Sequence, residues 1–263
     1  MKIELLPVLN DNYIFILIDE LKSEAAVIDP AEAKPVIQFL ETNNLKLTHI
    51  FNTHHHADHI GGNKKLCEFY KNVKVYAGEK DSGRIGKQDF FLKHGDKINF
   101  ADEIANIYYV PGHTLGHICY HFLLKNGESH LFIGDTIFSG GCGKIFEGTF
   151  EQMFSSLSFI RDSVPDNTFV WCSHEYTLEN YLILECLEPQ NLNIKAKIQN
   201  IISLREKNLP TIPCLMSEEK ILNSLLRWDD PNLRKTLSTK SSLETFIAVR
   251  KFRDSPPKVK YPF

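Results

Sequence analysis

The chain has 263 residues, 43% of them apolar and 24% charged, with a formal net charge of -3. That length allows one large domain or two modest ones, each with its own core. The balance is that of a globular protein. It offers no broad basic surface for nucleic acid or anionic membrane and no apolar run of the roughly 18 residues a membrane span needs.

The chain opens with KIELLPVL, YIFILID and AAVIDP, three short strand signals bounded by turn residues. Pro7 and the polar Asn10-Asp11-Asn12 interrupt the apolar run, and no small-residue cleavage site follows, so a secretory leader is not expected. AKPVIQFLETNN has helical spacing, with Val36, Ile37 and Leu40 on one face. LTHIFNT is a strand that runs into a cluster of histidines, and HADHIGGNKKLCEFY a loop entering a helix. KVYAG, KINF, IANIYYV, ICYHFLL, HLFIGD and FVWCS are further strands. EQMFSSLSFIRDSV is a helix whose cap is predicted at Thr149 to Gln152.

Beyond His174 the strand signals almost vanish. NYLILECLEP, NIKAKIQNIISLREKN, SEEKILNSLLRW and SSLETFIAVRKF have helical periodicity, the last opening at Ser242 with Glu244 in its first turn. The expectation is an α/β domain over 1–175 and a small all-α domain over 176–263, ending in the irregular tail PPKVKYPF. The six cysteines lack CxxC spacing. They are read as free thiols, and the compartment as the cytoplasm.

The chemistry concentrates in THHHADHIGG, residues 53–62. On an extended segment, residues two apart point the same way, so His54 and His56 can face one point while His55 faces away. Asp58 and His59 follow as the chain turns toward a helix. Imidazole and carboxylate donors without thiolate suit zinc, iron or manganese. So many donors crowd one small ion, which hints at two. Further donor residues close three later strands: His113 after IANIYYV, Asp135 after HLFIG and His174 after FVWCS. Strand ends are where layered α/β folds carry their sites. His117 is expected to support the site by hydrogen bonding. Asp29, closing AVID, either orients a ligand histidine or makes a turn with Pro30. His49, His94, His121 and His130 lack ligand spacing and are read as ordinary core or loop residues.

Together the HxHxDH loop and the later His, Asp and His resemble the metallo-β-lactamase superfamily. GGCGKIFEGT (140–149), SHEYT (173–177), LPTIPCLMSEEKILN (209–223) and AVRKFRD (248–254) narrow the resemblance to glyoxalase II, the hydroxyacylglutathione hydrolase family. It runs almost end to end. It implies a four-layer αβ/βα sandwich followed by a small helical domain. It implies two divalent ions, zinc before iron or manganese. His54, His56 and His113 would hold one, and Asp58, His59 and His174 the other. Asp135 and a hydroxide would bridge them. The implied reaction is hydrolysis of S-D-lactoylglutathione to glutathione and D-lactate, as in methylglyoxal detoxification. The hydroxide attacks the thioester carbonyl, with Asp58 and Asp135 as catalytic carboxylates.

The same resemblance assigns the glutathione to Lys144, Phe146, Tyr176, Arg250 and Arg253, of which Lys144, Arg250 and Arg253 are cations suited to a carboxylate. Phe146 stands where the family commonly has tyrosine, Arg253 where lysine is common, and ILNSLLR where Asn-Pro is usual. The partner expected is this small thioester, with no nucleic acid and no membrane, and the chain is expected to be a monomer. The rival readings are a lactonase, β-lactamase, nuclease or phosphodiesterase on the same fold, an iron-dependent sulfur dioxygenase with fewer ligands, and a metal-binding module without catalysis.

Overall fold

NYIFILID alternates between two apolar environments rather than between core and solvent. Tyr13, Phe15 and Leu17 enter one cluster, and Ile14, Ile16 and Ile18 enter a second. A strand covered on both faces needs apolar residues at every position, which is why this segment has no polar alternation. The computed structural model describes residues 1–259.

The strand is β2 (Asn12–Asp19) of a six-stranded sheet. It lies between β1 (Lys2–Val8) and β3 (Glu24–Ile28), antiparallel to both, and the sheet continues in parallel through β4 (Lys46–Phe51), β5 (Lys74–Gly78) and β6 (Phe90–Leu92). The helices α1 (Ala33–Thr42), α2 (Ala57–Ile60) and α3 (Asn63–Phe69) lie in its crossovers. Val36, Leu40 and Leu66 cover the outer face.

The second sheet uses β7 (Lys97–Phe100), β8 (Glu103–Tyr109), β9 (Ile118–Leu123) and β10 (Ser129–Gly134) as an antiparallel meander. A ribbon of β11 (Ile137–Phe138) and β12 (Gly141–Cys142) and the helix α4 (Phe150–Ser163) precede β13 (Thr168–Cys172), which pairs in parallel with β10. Two antiparallel steps and one parallel one leave β8, β10 and β13 running the same way, so their C-terminal ends share one edge. Phe15, Phe51, Tyr120, Phe122 and Phe132 fill the space between the sheets. Met153, Leu157 and Ile160 of α4 extend that core beyond the second sheet. This is the four-layer arrangement, helix on sheet on sheet on helix.

The rest is helical: α5 (Thr177–Leu187), α6 (Leu192–Arg205), α7 (Met216–Leu222), α8 (Pro231–Leu237) and α9 (Ser242–Asp254). Phe246 and Val249 of α9 join the main core, while α5 and α6 pack their own. The capping box at Thr149 and Gln152 is present.

Several expectations need correction. SEEKILNSLLRW is not one helix. It stops at Leu222, where Asn223 turns to extended backbone and its side-chain amide donates to the Gly141 carbonyl and Glu219. Just before that helix, β14 (Cys214–Leu215) adds an antiparallel edge to β13, a strand the helical reading passed over. Asp230 and Pro231, a cap and a first-turn proline, start the unforeseen α8. The last helix does open at Ser242 with Glu244 in its first turn, capped by Ser241 in a capping box with Glu244. Of the expected tail, Pro256 to Val259 have no regular structure, and 260–263 lie outside the described residues. Among the described residues, no helix is long and apolar enough to cross a membrane.

Candidate metal centre

The edge shared by β8, β10 and β13 faces the end of β4, and the four segments leaving these strands carry all seven predicted donors. His54, His56, Asp58 and His59 follow β4, His113 follows β8, Asp135 directly follows β10, and His174 follows β13. One donor atom each from His54, His56 and His113 lies within 4.8 Å of the others, and the same holds for Asp58, His59 and His174. Asp135 stands between the two groups. Its Oδ1 is 3.4 Å from His59 Nε2, and its Oδ2 is 3.4 Å from both His113 Nε2 and His174 Nε2.

The outward nitrogen of each buried ring has an acceptor. His54 Nδ1 lies 3.0 Å from the Thr53 hydroxyl, which itself donates to Asp29. His113 Nδ1 donates to the Lys144 carbonyl at 2.7 Å, His59 Nδ1 to Asp29 at 3.0 Å and His174 Nδ1 to Asp11 at 2.7 Å. Fixing the proton on Nδ1 leaves the Nε2 lone pair aimed inward, the usual outer support of a metal-binding histidine. His54 Nε2, His59 Nε2 and Asp135 Oδ1 are buried without a hydrogen-bond partner among the described residues. Orphaned acceptors at the centre of a buried cluster are costly unless a cation meets them.

The electrostatics agree. Burial holds His54 and His117 well below the ordinary histidine range. Burial, then neighbouring His113, brings His56 down to about 4. His59 and His174 go the other way: burial opposes their charge, but the Asp135 carboxylate outweighs it. Asp135 is held well below the carboxylate range by His59 and His174, against its own burial. In the chain alone, the carboxylates favour positive charge beside them. A divalent cation would supply that charge. The donor set, the orphaned atoms and the demand for positive charge all fit divalent metal.

Asp29 does both things its position allowed. It takes a left-handed φ of 48° in the turn after β3, and its carboxylate accepts from Thr53 N, Thr53 Oγ1 and His59 Nδ1. It therefore belongs with the support, although it also lies close enough to His54 and His59 to form a third donor group. His117 stacks on His54 and accepts the Asp135 N–H at 3.2 Å. His55 faces away, bonded to the buried Asp81 and to Arg84.

Sequence reasoning missed Asp11 and Asn12. It read them only as a polar break, yet Asn12 Nδ2 holds Asp58 Oδ2 at 3.1 Å and Asp11 holds His174. The one legible signal was three consecutive polar residues in a turn between buried strands.

Lys144, Tyr176, Arg250 and Arg253 line one cleft of about 230 Å³ beside this centre. Tyr176 stacks on the His174 ring at 4.8 Å. Arg250 is 4% exposed, bonded to the Cys142 carbonyl and Asp254, and Arg253 meets Asn180 and Glu179. Phe146, 61% exposed, stands edge-on to His56 and His113, with the Lys144 ammonium 5.4 Å from its ring centre.

A family model described as the metallo-beta-lactamase superfamily matches residues 12–166, and one described as hydroxyacylglutathione hydrolase C-terminus matches residues 175–256. A hydroxyacylglutathione hydrolase of Synechocystis sp. is 46% identical over 257 residues, 97% of this chain and 100% of that one. The chain belongs to the hydroxyacylglutathione hydrolase family. A second relative of that name, from Nostoc sp., is 44% identical over 256 residues, covering 97% of this chain and 99% of its own. The crystal structure of ETHE1 from Myxococcus xanthus aligns with a TM-score of 0.68 at 23% identity, over 97% of this chain and 92% of that one, and so shares the fold.

Within this hydroxyacylglutathione hydrolase scaffold, Gly143 has a specific task. A Cβ there would lie 1.9 Å from the Asp135 carbonyl oxygen and 3.0 Å from His113 Nδ1. Neither the backbone nor the His113 ring can yield without moving a candidate donor. Gly143→Ala is expected to weaken metal retention by about tenfold or more. Metal per chain after dialysis against a chelator checks this.

Proposed function

We propose that this chain hydrolyses the thioester of S-D-lactoylglutathione to glutathione and D-lactate, using two divalent ions held by the seven donors. The observation that carries the reading is Asp135, set between two donor triads whose His174 ring stacks on Tyr176 of a cation-lined cleft. His54, His56 and His113 would hold one ion, and Asp58, His59 and His174 the other, with Asp135 available as a further ligand between the two groups. Zinc is the first candidate, with iron and manganese as alternatives. Bound there, divalent ions supply Lewis acidity and a source of hydroxide near neutral pH.

The chain's own groups do the rest. Asp58, held by Asn12, and Asp135 keep fixed negative charge at the centre. Lys144 and Arg253 offer cations to a glutathione carboxylate, with Arg250 behind them and Tyr176 against the His174 ring. The leaving thiolate comes from a thiol of pKa about 8.5, so no strong general acid is required. The carboxylate in the cleft wall, Asp254, is paired with Arg250. The residues 1–175 would carry the chemistry and 176–263 most of the substrate grip. We further propose that the chain acts as a monomer in a reducing cytoplasm, a setting in which its six unpaired cysteines are at home.

Turnover of S-D-lactoylglutathione, a lactone, a β-lactam and an activated phosphodiester at equal concentrations tests the reading. It stands if the thioester is preferred by orders of magnitude and fails if another substrate leads. Phe146→Tyr adds the hydroxyl that the family commonly has at this position. It is expected to lower KM for the thioester by up to about tenfold, the worth of one hydrogen bond, with kcat little changed. Steady-state kinetics on the two proteins decides it.

A further inference from the structure

Glu219, on α7, is a carboxylate with 0% exposure and no cation within salt-bridge distance among the described residues. Burying such a group is expensive unless its oxygens are fully bonded. Here they are. Oε1 accepts from the Ser139 hydroxyl at 2.8 Å and the Tyr181 hydroxyl at 3.5 Å, and Oε2 accepts from Gly140 N at 2.9 Å and Asn223 Nδ2 at 3.0 Å. Two of the four donors belong to the loop that links β11 and β12.

The same helical region grips that loop along its length. Asn180 donates to the Ser139 carbonyl, Asn223 to the Gly141 carbonyl and Arg250 to the Cys142 carbonyl. Gly140, at φ +72°, leaves no room for a side chain against the Tyr181 ring, where a Cβ would lie 2.8 Å away. Two residues beyond this grip, the Lys144 carbonyl accepts the His113 Nδ1 proton at 2.7 Å. Between them Gly143 passes against Asp135. One short segment thus runs from the Glu219 contacts at Ser139 and Gly140 to the residues that touch His113 and Asp135.

We propose that Glu219 is a positioning residue for the metal centre. By anchoring the Ser139–Lys144 loop, it fixes the carbonyl that sets the proton and orientation of His113, and it holds Lys144 at the cleft. The helical region thereby shapes the metal site as well as gripping substrate. This rests on the reading of His113 as a metal ligand.

The test compares full-length, metal-loaded wild type with Glu219→Gln, Ser139→Ala and Arg227→Lys. Glutamine keeps the shape but turns one acceptor oxygen into a donor facing Ser139 or Gly140. Ser139→Ala removes one bond and leaves Glu219 in place, so it serves if Glu219→Gln folds poorly. Arg227 pairs with Glu188 in the helical region, away from the loop, and Arg227→Lys controls for simple loss of stability. The readouts are the rate of metal loss to a chelator, the visible absorption of the cobalt-substituted protein, and kcat and KM separately.

Glu219→Gln should lose metal about tenfold faster and shift the cobalt bands, with kcat down by a similar factor. Ser139→Ala should move the same way by less. Arg227→Lys should lower the melting temperature with wild-type metal loss and spectrum. Wild-type metal retention and cobalt spectrum in both loop variants would overturn the inference alone. A wild type that takes up no metal would overturn the metal-centre reading and this inference with it.

Discussion

Asp135→Asn is expected to lower kcat by about three orders of magnitude and to leave the protein with less bound metal. Asp135 is 6% exposed, and each oxygen faces imidazole nitrogens at 3.4 Å. Asparagine has the same shape but brings no charge. Whichever way the amide turns, an NH2 faces atoms that should be presenting lone pairs to a cation. Of the two carboxylates in the cluster only Asp58 would remain, and it is the more exposed. Losing several kcal/mol of charge stabilisation at the reacting centre corresponds to about a thousandfold in rate. Kinetics and metal analysis on one sample check the result. A variant with full metal content and activity within tenfold of wild type would remove Asp135 from the centre.

The second large effect is expected at a residue that would touch no metal. Asp29→Asn should weaken metal affinity by 10- to 100-fold and destabilise the fold by about 2–3 kcal/mol. Asparagine tolerates the left-handed φ of 48°, so backbone strain is not the cause. The Asp29 oxygens accept three bonds, one from Thr53 N and two shared at Oδ2 from the Thr53 hydroxyl and His59 Nδ1. An amide must set its NH2 against one of these donors. Thr53 would then lose its grip on His54, and His59 its fixed proton. Chelator competition and denaturant unfolding measure the two parts. Unchanged affinity together with lost stability would make Asp29 a turn residue only.

Much of this site could be read from the chain because its donors sit at strand ends. A strand is a local pattern, so His54, His113, Asp135 and His174 each announced themselves after an apolar run. The alternation that turns His55 away from His54 and His56 was equally local. Spacing could not divide the donors between two ions. That division came from the family resemblance; the structure brings together the donor atoms of His54, His56 and His113, of Asp58, His59 and His174, and also of Asp29, His54 and His59.

What stayed hidden depends on contacts between distant segments. Asp11 reaches His174 across 163 positions, and Glu219 reaches Ser139 across 80. No periodicity marks either. The end of α7 was misread because Asn223 and Ser224 sit inside an apolar pattern that looks helical. The Asn223 side chain instead serves the β11–β12 loop, and Ser224 bonds to Glu188. The two-residue β14 is too short for an alternation to register and exists only because β13 offers it an edge.

The most direct test is thiol release from S-D-lactoylglutathione by the purified full chain, with metal content determined on the same sample before and after chelation. The account predicts rapid release with about two divalent ions per chain, loss of activity as metal is removed, and recovery when it is returned. Activity that survives complete metal removal, or a fully loaded protein that leaves the thioester intact, would contradict it.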